Sequence, residues 1–334
     1  MPLVFDTGSA GVTLYAPSIF PSSMVSASGF VFAAGQTSIT YNGITVTNQQ
    51  ATRSYGSTST RVQNGNIGYA TLTFGDANGK LITSTLPILF YYSITDGATG
   101  KALAAGGPGQ GVFGVASTVG TIVVPGSTAP AGGFPACAND TNTTCYVASP
   151  LKYLQYASGV NAGFVLAPAT IQSCDITTAG SCSPEPILTV GVTAQSESGF
   201  STTSVPCPPN GYTGPASVAG YPVCQKIIGN TTVMVAGSVV GTLTGGAVFD
   251  TGTPNMQIAL PTSSSGTFPT SIPVGSTVTF STPSGFTYSY STAGTEPFTT
   301  VVNVGYTGSS IVGIGYFTTN SFFIDYTSGA TGWK

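Results

Sequence analysis

The 334-residue chain contains no histidine. Ser-His-Asp and Cys-His hydrolases, HExxH metallopeptidases and most zinc enzymes are thereby excluded, because each needs an imidazole as base or ligand. Charge is scarce as well: seven basic and ten acidic residues leave a net charge of -3, and no Lys/Arg cluster occurs. An electrostatic footprint for nucleic acid or for an anionic membrane surface is missing. Long apolar runs are also lacking. The longest, Leu86 to Tyr92, falls far short of the ~20 residues a membrane-spanning helix requires, so no membrane span is expected. No solenoid or propeller period is present, and no long segment carries a 3.6-residue apolar spacing. Acid/base chemistry is left to carboxylates, tyrosine or lysine, and neither a metal nor a cofactor is expected.

What the chain does contain reads as β-structure. Forty-five glycines and twenty-three prolines interrupt short β-branched and aromatic runs, and 41% hydrophobic content supplies a core. Strands are predicted at Ser38–Thr47, Ile67–Phe74, Thr85–Tyr92, Gly163–Leu166, Ile187–Val192, Thr231–Val235, Val278–Phe280 and Ser321–Asp325. One helix is predicted over Pro150–Ala157, with Ser149 as N-cap and proline at the first helical position. Gly106–Asn142 and Ser196–Gly220 read as long surface loops. Six cysteines fall into three short intervals, Cys137/Cys145, Cys174/Cys182 and Cys207/Cys224. With no CxxC and no histidine, disulfides in an oxidising, extracytoplasmic setting are the better reading, although six cysteines allow fifteen pairings.

The pentapeptide Val-Phe-Asp-Thr-Gly occurs twice, at Val4–Gly8 and Val248–Gly252. One Asp-Thr-Gly in a Thr/Gly-rich chain is an ordinary turn. Two copies that share more than the turn are not: each aspartate ends an apolar run, each motif continues with a hydroxyl residue (Ser9, Thr253), and each then reaches a second apolar stretch ending in proline (Pro17, Pro261). Two carboxylates brought to hydrogen-bond distance cannot both ionise and share a proton. One is then base and the other acid at the same pH, which is what activating a water against a carbonyl carbon needs. Thr7 and Thr251 are expected to lock the two loops together. Gly8 and Gly252 are expected to admit substrate backbone.

Asp-Thr-Gly-Ser and Asp-Thr-Gly-Thr together resemble the paired signatures of pepsin-like aspartic proteases, whose carboxylate pair is a standard instance of this chemistry. Val112-Phe-Gly-Val115 and Ile311-Val-Gly-Ile314 are similar to the apolar-apolar-Gly segments that thread beside each aspartate in that family. Gly163–Leu166, Leu188–Gly191 and Phe322–Trp333 are similar to its mid-chain and closing strands. The resemblance thus spans most of the chain and implies an all-β, bilobal fold, with a cleft between two barrel- or sandwich-like lobes. Residues 1–190 would carry Asp6 and 191–334 would carry Asp250. It implies an endopeptidase acting on polypeptide in acid, secreted and monomeric, with apolar residues on both sides of the scissile bond. Ser9 and Thr253 would bond the outer carboxylate oxygens. A flap hairpin is implied around Ser54–Ser57 and Asn66–Leu72, making Tyr55 the flap residue, with Asn64-Gly65 as an alternative turn and a strand-end tyrosine without a role as the plainer reading.

The chain departs from the family pattern in three ways. Thr13 stands where the family usually has tryptophan. The interval between the two motifs is long, and that from Asp250 to Gly313 is short. The family also has a hairpin ahead of its first aspartate, whereas Met1–Phe5 alone precede Asp6; with an export signal expected too, the natural chain is expected to extend upstream. Two other functional classes fit parts of the sequence. One is a pepsin-fold protein that binds without cleaving. The other is a Ser/Thr-rich β-sandwich surface protein whose Asp-Thr-Gly motifs are turns or calcium ligands, a reading that the scattered remaining acids disfavour.

Overall fold

A computed structural model describes residues 3–56, 61–76, 79–105, 111–124, 144–170, 185–236, 241–260, 268–305 and 308–334. The first lobe holds β1 (Val4–Asp6), β2 (Ala10–Tyr15), β3 (Ile44–Tyr55), β4 (Arg61–Ala70), β5 (Leu86–Asp96), β6 (Gly111–Val115), β7 (Val119–Val123) and β8 (Thr144–Ala148). They hydrogen-bond in the order β1-β6-β2-β5-β4-β3-β7-β8, with Ser38–Tyr41 added beside β3. The unbroken apolar run of β5 has a physical use. Leu86, Ile88, Phe90 and Tyr92 enter one hydrophobic cluster, while Leu89 and Tyr91 enter a second on the opposite face. Alternate side chains point to opposite sides, so a strand apolar at every position is one around which the sheet curls on both faces.

Three strands then begin a second sheet: β9 (Asn161–Leu166), β10 (Leu188–Val192) and β11 (Ser201–Ser204). The second lobe follows, with β12 (Ile228–Ala236), β13 (Gly241–Phe249), β14 (Met256–Leu260), β15 (Thr277–Ser281), β16 (Thr287–Ser291), β17 (Thr300–Val304) and β18 (Ser310–Val312), in the spatial order β16-β15-β12-β13-β18-β14-β17. The chain ends by returning to the second sheet with β19 (Phe322–Asp325) and β20 (Ala330–Trp333), giving the order β10-β9-β19-β20-β11. Mid-chain and terminal segments therefore share one sheet, and position 190 falls inside it. Phe164, Phe322 and Trp333 from this sheet pack with Phe249, the residue before Asp250. The fold is nearly all β and bilobal in the pepsin-like manner.

Several local expectations change. Ser38–Thr47 is two strands, because Asn42 and Gly43 both take positive φ and turn the chain into β3; Asn-Gly between alternating apolar residues is a strong hairpin signal. Ile67–Phe74 is likewise divided, β4 ending at Ala70 and a short strand starting at Thr73. Asn64 and Gly65 lie inside β4 and pair with Thr52 and Ala51, so they form no turn. The Pro150 helix is one 3-10 turn, Pro150–Tyr153, capped by Ser149 accepting from the Leu151 amide. It stops where Leu154 turns extended to bury its side chain. The α-helix Ala194–Glu197 was hidden in a Ser/Thr-rich stretch, although Thr193 and Ser196 form a capping box. The two expected loop regions contain β6, β7 and β11. Much of Gly106–Asn142 lies outside the described residues. No helix among the described residues is long and apolar enough to cross a membrane.

Candidate active site

Each aspartate is delivered by a strand end. β1 runs parallel to β6, setting Asp6 opposite Gly114, and β6 pairs on its other side with β2. In the second lobe β13 runs parallel to β18, and the Asp250 amide donates to Val312 O at 2.9 Å. Both apolar-apolar-Gly segments thus thread beside an aspartate. Their glycines are steric necessities: a Cβ on Gly114 would lie 2.8 Å from Ser9 O, and one on Gly313 would lie 2.1 Å from Asn255 O. The loops between are closed by the Ala116 amide donating to Ser9 O and the Ile314 amide donating to Thr253 O.

Both turns hold their carboxylates in the same way. Asp6 Oδ1 accepts from the amides of Gly8 (2.8 Å) and Ser9 (3.0 Å), and its Oδ2 from Ser9 Oγ (2.6 Å). Asp250 Oδ1 accepts from the Gly252 amide (2.8 Å) and Oδ2 from Thr253 Oγ1 (2.7 Å). Across the lobes, Thr7 Oγ1 donates to Phe249 O (2.8 Å) and accepts from the Thr251 amide (3.0 Å). Thr251 Oγ1 donates to Phe5 O (2.6 Å) and accepts from the Thr7 amide (3.1 Å). Four reciprocal bonds join the two loops.

The glycines have a steric role that the sequence does not show. A Cβ on Gly8 would lie 2.3 Å from Asp250 Cγ, and one on Gly252 would lie 2.8 Å from Asp6 Cγ. Each glycine therefore makes room for the opposite carboxylate rather than for substrate alone. Burial, and after it the Asp6 carboxylate, pushes the Asp250 carboxyl up to about 7. Asp325 repeats this turn chemistry away from the pair: it is buried and accepts from the Thr327 amide, Ser328 Oγ and Asn161 Nδ2.

The two aspartates line a cleft of about 600 Å³, together with Tyr55, Gly120, Thr121 and Gln257. Tyr55 ends β3 beside the tip of the β3/β4 hairpin, paired with Arg61, and residues 57–60 lie outside the described residues. Burial pushes its hydroxyl pKa up. That hydroxyl sits beside those of Thr13 and Ser9 without closing a hydrogen bond, and Thr13 Oγ1 is equally without a partner. Among the cleft residues that sequence reasoning missed are its two basic side chains. Arg53 and Lys226 are two of the seven basic side chains and both line it. Lys226 donates to Gly8 O; it follows Cys224, whose disulfide to Cys207 fixes that loop. Local sequence gave no signal for either, since only the folded hairpin and the disulfide loop bring them to the aspartates. Cys145 is also disulfide-bonded. Cys137, Cys174 and Cys182 lie outside the described residues. No group of metal-ligating side chains occurs among the described residues.

No protein-family model matches the sequence, and no curated protein does either. Among solved structures, the aspartic proteinase from Irpex lacteus is similar to this chain, with a TM-score of 0.54 and 15% identity over 99% of this chain and 88% of that one. At that identity the likeness is one of fold.

Proposed function

We propose that the protein is an aspartic-type endopeptidase that hydrolyses peptide bonds in acid. The observation that carries this reading is the mutual seating of the two Asp-Thr-Gly turns, in which each glycine yields its Cβ space to the opposite carboxylate. Such a pair holds one proton between two acids. The ionised member takes a proton from a water held between them, the water attacks the scissile carbonyl, and the protonated member donates to the carbonyl oxygen; the C–N bond then breaks as the proton taken from water passes to the leaving amine and the pair recovers its shared proton from the hydroxyl of the adduct. Ser9 and Thr253 bond the Oδ2 atoms and orient the carboxyl planes. Tyr55 covers the cleft from the hairpin. Residues 1–190 and 191–334 each contribute one aspartate. Disulfide bonding fits a secreted polypeptide hydrolase.

Digestion of a denatured protein at acid pH, with and without a pepstatin-type transition-state analogue, tests the proposal. Asp6→Asn and Asp250→Asn should each abolish cleavage while leaving the fold nearly intact. Retained turnover in either variant would remove the pair from the chemistry. Analogue binding without any turnover would instead indicate a peptide-binding protein of this fold.

A further inference from the structure

Arg53 is a buried cation without a counter-ion among the described residues. Its side chain is 4% exposed, Nη2 donates to Ala10 O at 2.6 Å, and Nη1 has no hydrogen-bond partner at all. The guanidinium lies under the Tyr55 ring, 4.7 Å from its centroid. A stacked face leaves the in-plane N–H donors unused. Two glycines cradle the group: a Cβ on Gly120 would lie 2.6 Å from Nη2, and one on Gly11 would lie 3.2 Å from Nη1. Gln63, directly opposite on β4, leaves its own Oε1 unpaired, so it does not serve Arg53. Burying an incompletely bonded charge is costly, and pairing with an anion offsets that cost. Arg53 lines the same cleft as Asp6 and Asp250, and the only acids lining that cleft are those two.

We infer that the cleft accepts a substrate with an acidic side chain, a glutamate or aspartate near the scissile bond, whose carboxylate pairs with the Arg53 guanidinium in the cleft that Arg53 lines with Tyr55, Gly120 and Thr121. This deepens the proposed proteolytic reading and departs from the apolar preference implied by resemblance. The in-plane fork of a guanidinium matches a carboxylate in two parallel hydrogen bonds. Lys226, in the same cleft, adds positive potential of the right sign.

The test uses three peptides that differ only in carrying Glu, Gln or Leu at one position, scanned through the positions flanking the scissile bond. Cleavage by the whole chain is measured at pH values on both sides of the ordinary glutamate range. At one position, Glu should exceed Gln by about tenfold or more in kcat/KM, the effect of one charge-assisted hydrogen bond. The advantage should shrink below about pH 4, where the substrate carboxyl protonates. Arg53→Met should abolish the Glu advantage and Arg53→Lys should retain part of it. Equal rates for Glu and Gln at every position, or a preference unchanged in Arg53→Met, would overturn the inference. Should the methionine variant not fold, the Glu/Gln comparison in the unmodified chain still decides. Calorimetric binding of the same peptides to Asp6→Asn separates this inference from the proteolytic one. Tighter binding of the Glu peptide without cleavage by the unmodified chain would sustain the acidic pocket and reject proteolysis. Cleavage with no Glu preference would do the reverse.

Discussion

At the residue scale, the site is defined by what two glycines and two threonines permit two aspartates to do. Gly8→Ala places a methyl inside the Asp250 carboxylate's space and should reduce kcat/KM by roughly 100-fold or more, the cost of misplacing a reacting group by about 1 Å. Gly245→Ala, with open space around it, is the matched control and should change little. Peptide kinetics on the two variants checks the contrast. The raised Asp250 carboxyl sets a pH dependence of stability whose sign follows from proton uptake. From about pH 4 to about pH 7 the folded chain binds a proton there that the unfolded chain does not. That stabilisation is present below the lower value and is lost as pH rises through the upper one. Urea midpoints should fall across this window, and Asp250→Asn should flatten the fall. The same proton limits activity: kcat/KM should be bell-shaped on the acid side of neutrality, declining on its alkaline limb as the pair loses its shared proton. A profile still rising from about pH 6 to 8 would contradict shared-proton chemistry.

At the scale of elements, the 3-10 turn Pro150–Tyr153 carries a second buried cation. Lys152 is 1% exposed, donates from Nζ to Ser117 O (3.0 Å) and Pro222 O (2.7 Å), and lies over the Tyr326 ring. Burial pulls its pKa down to about 7. Between that value and the ordinary lysine range the unfolded chain binds the extra proton, so stability should rise as pH climbs through this window. Lys152→Met should remove the rise, as measured by denaturant midpoints at several pH values. The β19/β20 hairpin offers another check. Trp333 is the sole tryptophan, fully buried, with its ring against Phe249, Phe286 and Phe322. Trp333→Ala should cost about 3–5 kcal/mol. In the unmodified chain its fluorescence should follow unfolding of the core that backs Asp250.

At the scale of the whole molecule, the four bonds among Thr7, Thr251, Phe5 and Phe249 couple the lobes at the cleft floor. Thr7→Val or Thr251→Val leaves a buried carbonyl and an amide without a partner, at about 1–3 kcal/mol each. The two losses should be non-additive in a double-mutant cycle, because both variants break one reciprocal network. Much of this was legible in the chain. The all-β class was legible because turn chemistry and strand alternation are local, strict repetition of Val-Phe-Asp-Thr-Gly pointed to the pairing of the aspartates, and the resemblance carried by those motifs and the later apolar-apolar-Gly segments implied the bonds to the outer oxygens and the bilobal fold. Other features had local signals that were outweighed: Asn42-Gly43 marks a hairpin, and Thr193/Ser196 marks a helix start. Three things were decided only by tertiary structure. The motif glycines face the opposite carboxylate, a steric relation between residues 242 apart in sequence (Gly8 and Asp250). Mid-chain and terminal strands close one sheet, a pairing that no short-range pattern specifies. Arg53 and Lys226 reach the cleft because a strand register and a disulfide loop carry them there, and a lone basic residue in sequence says nothing about the charges it will meet.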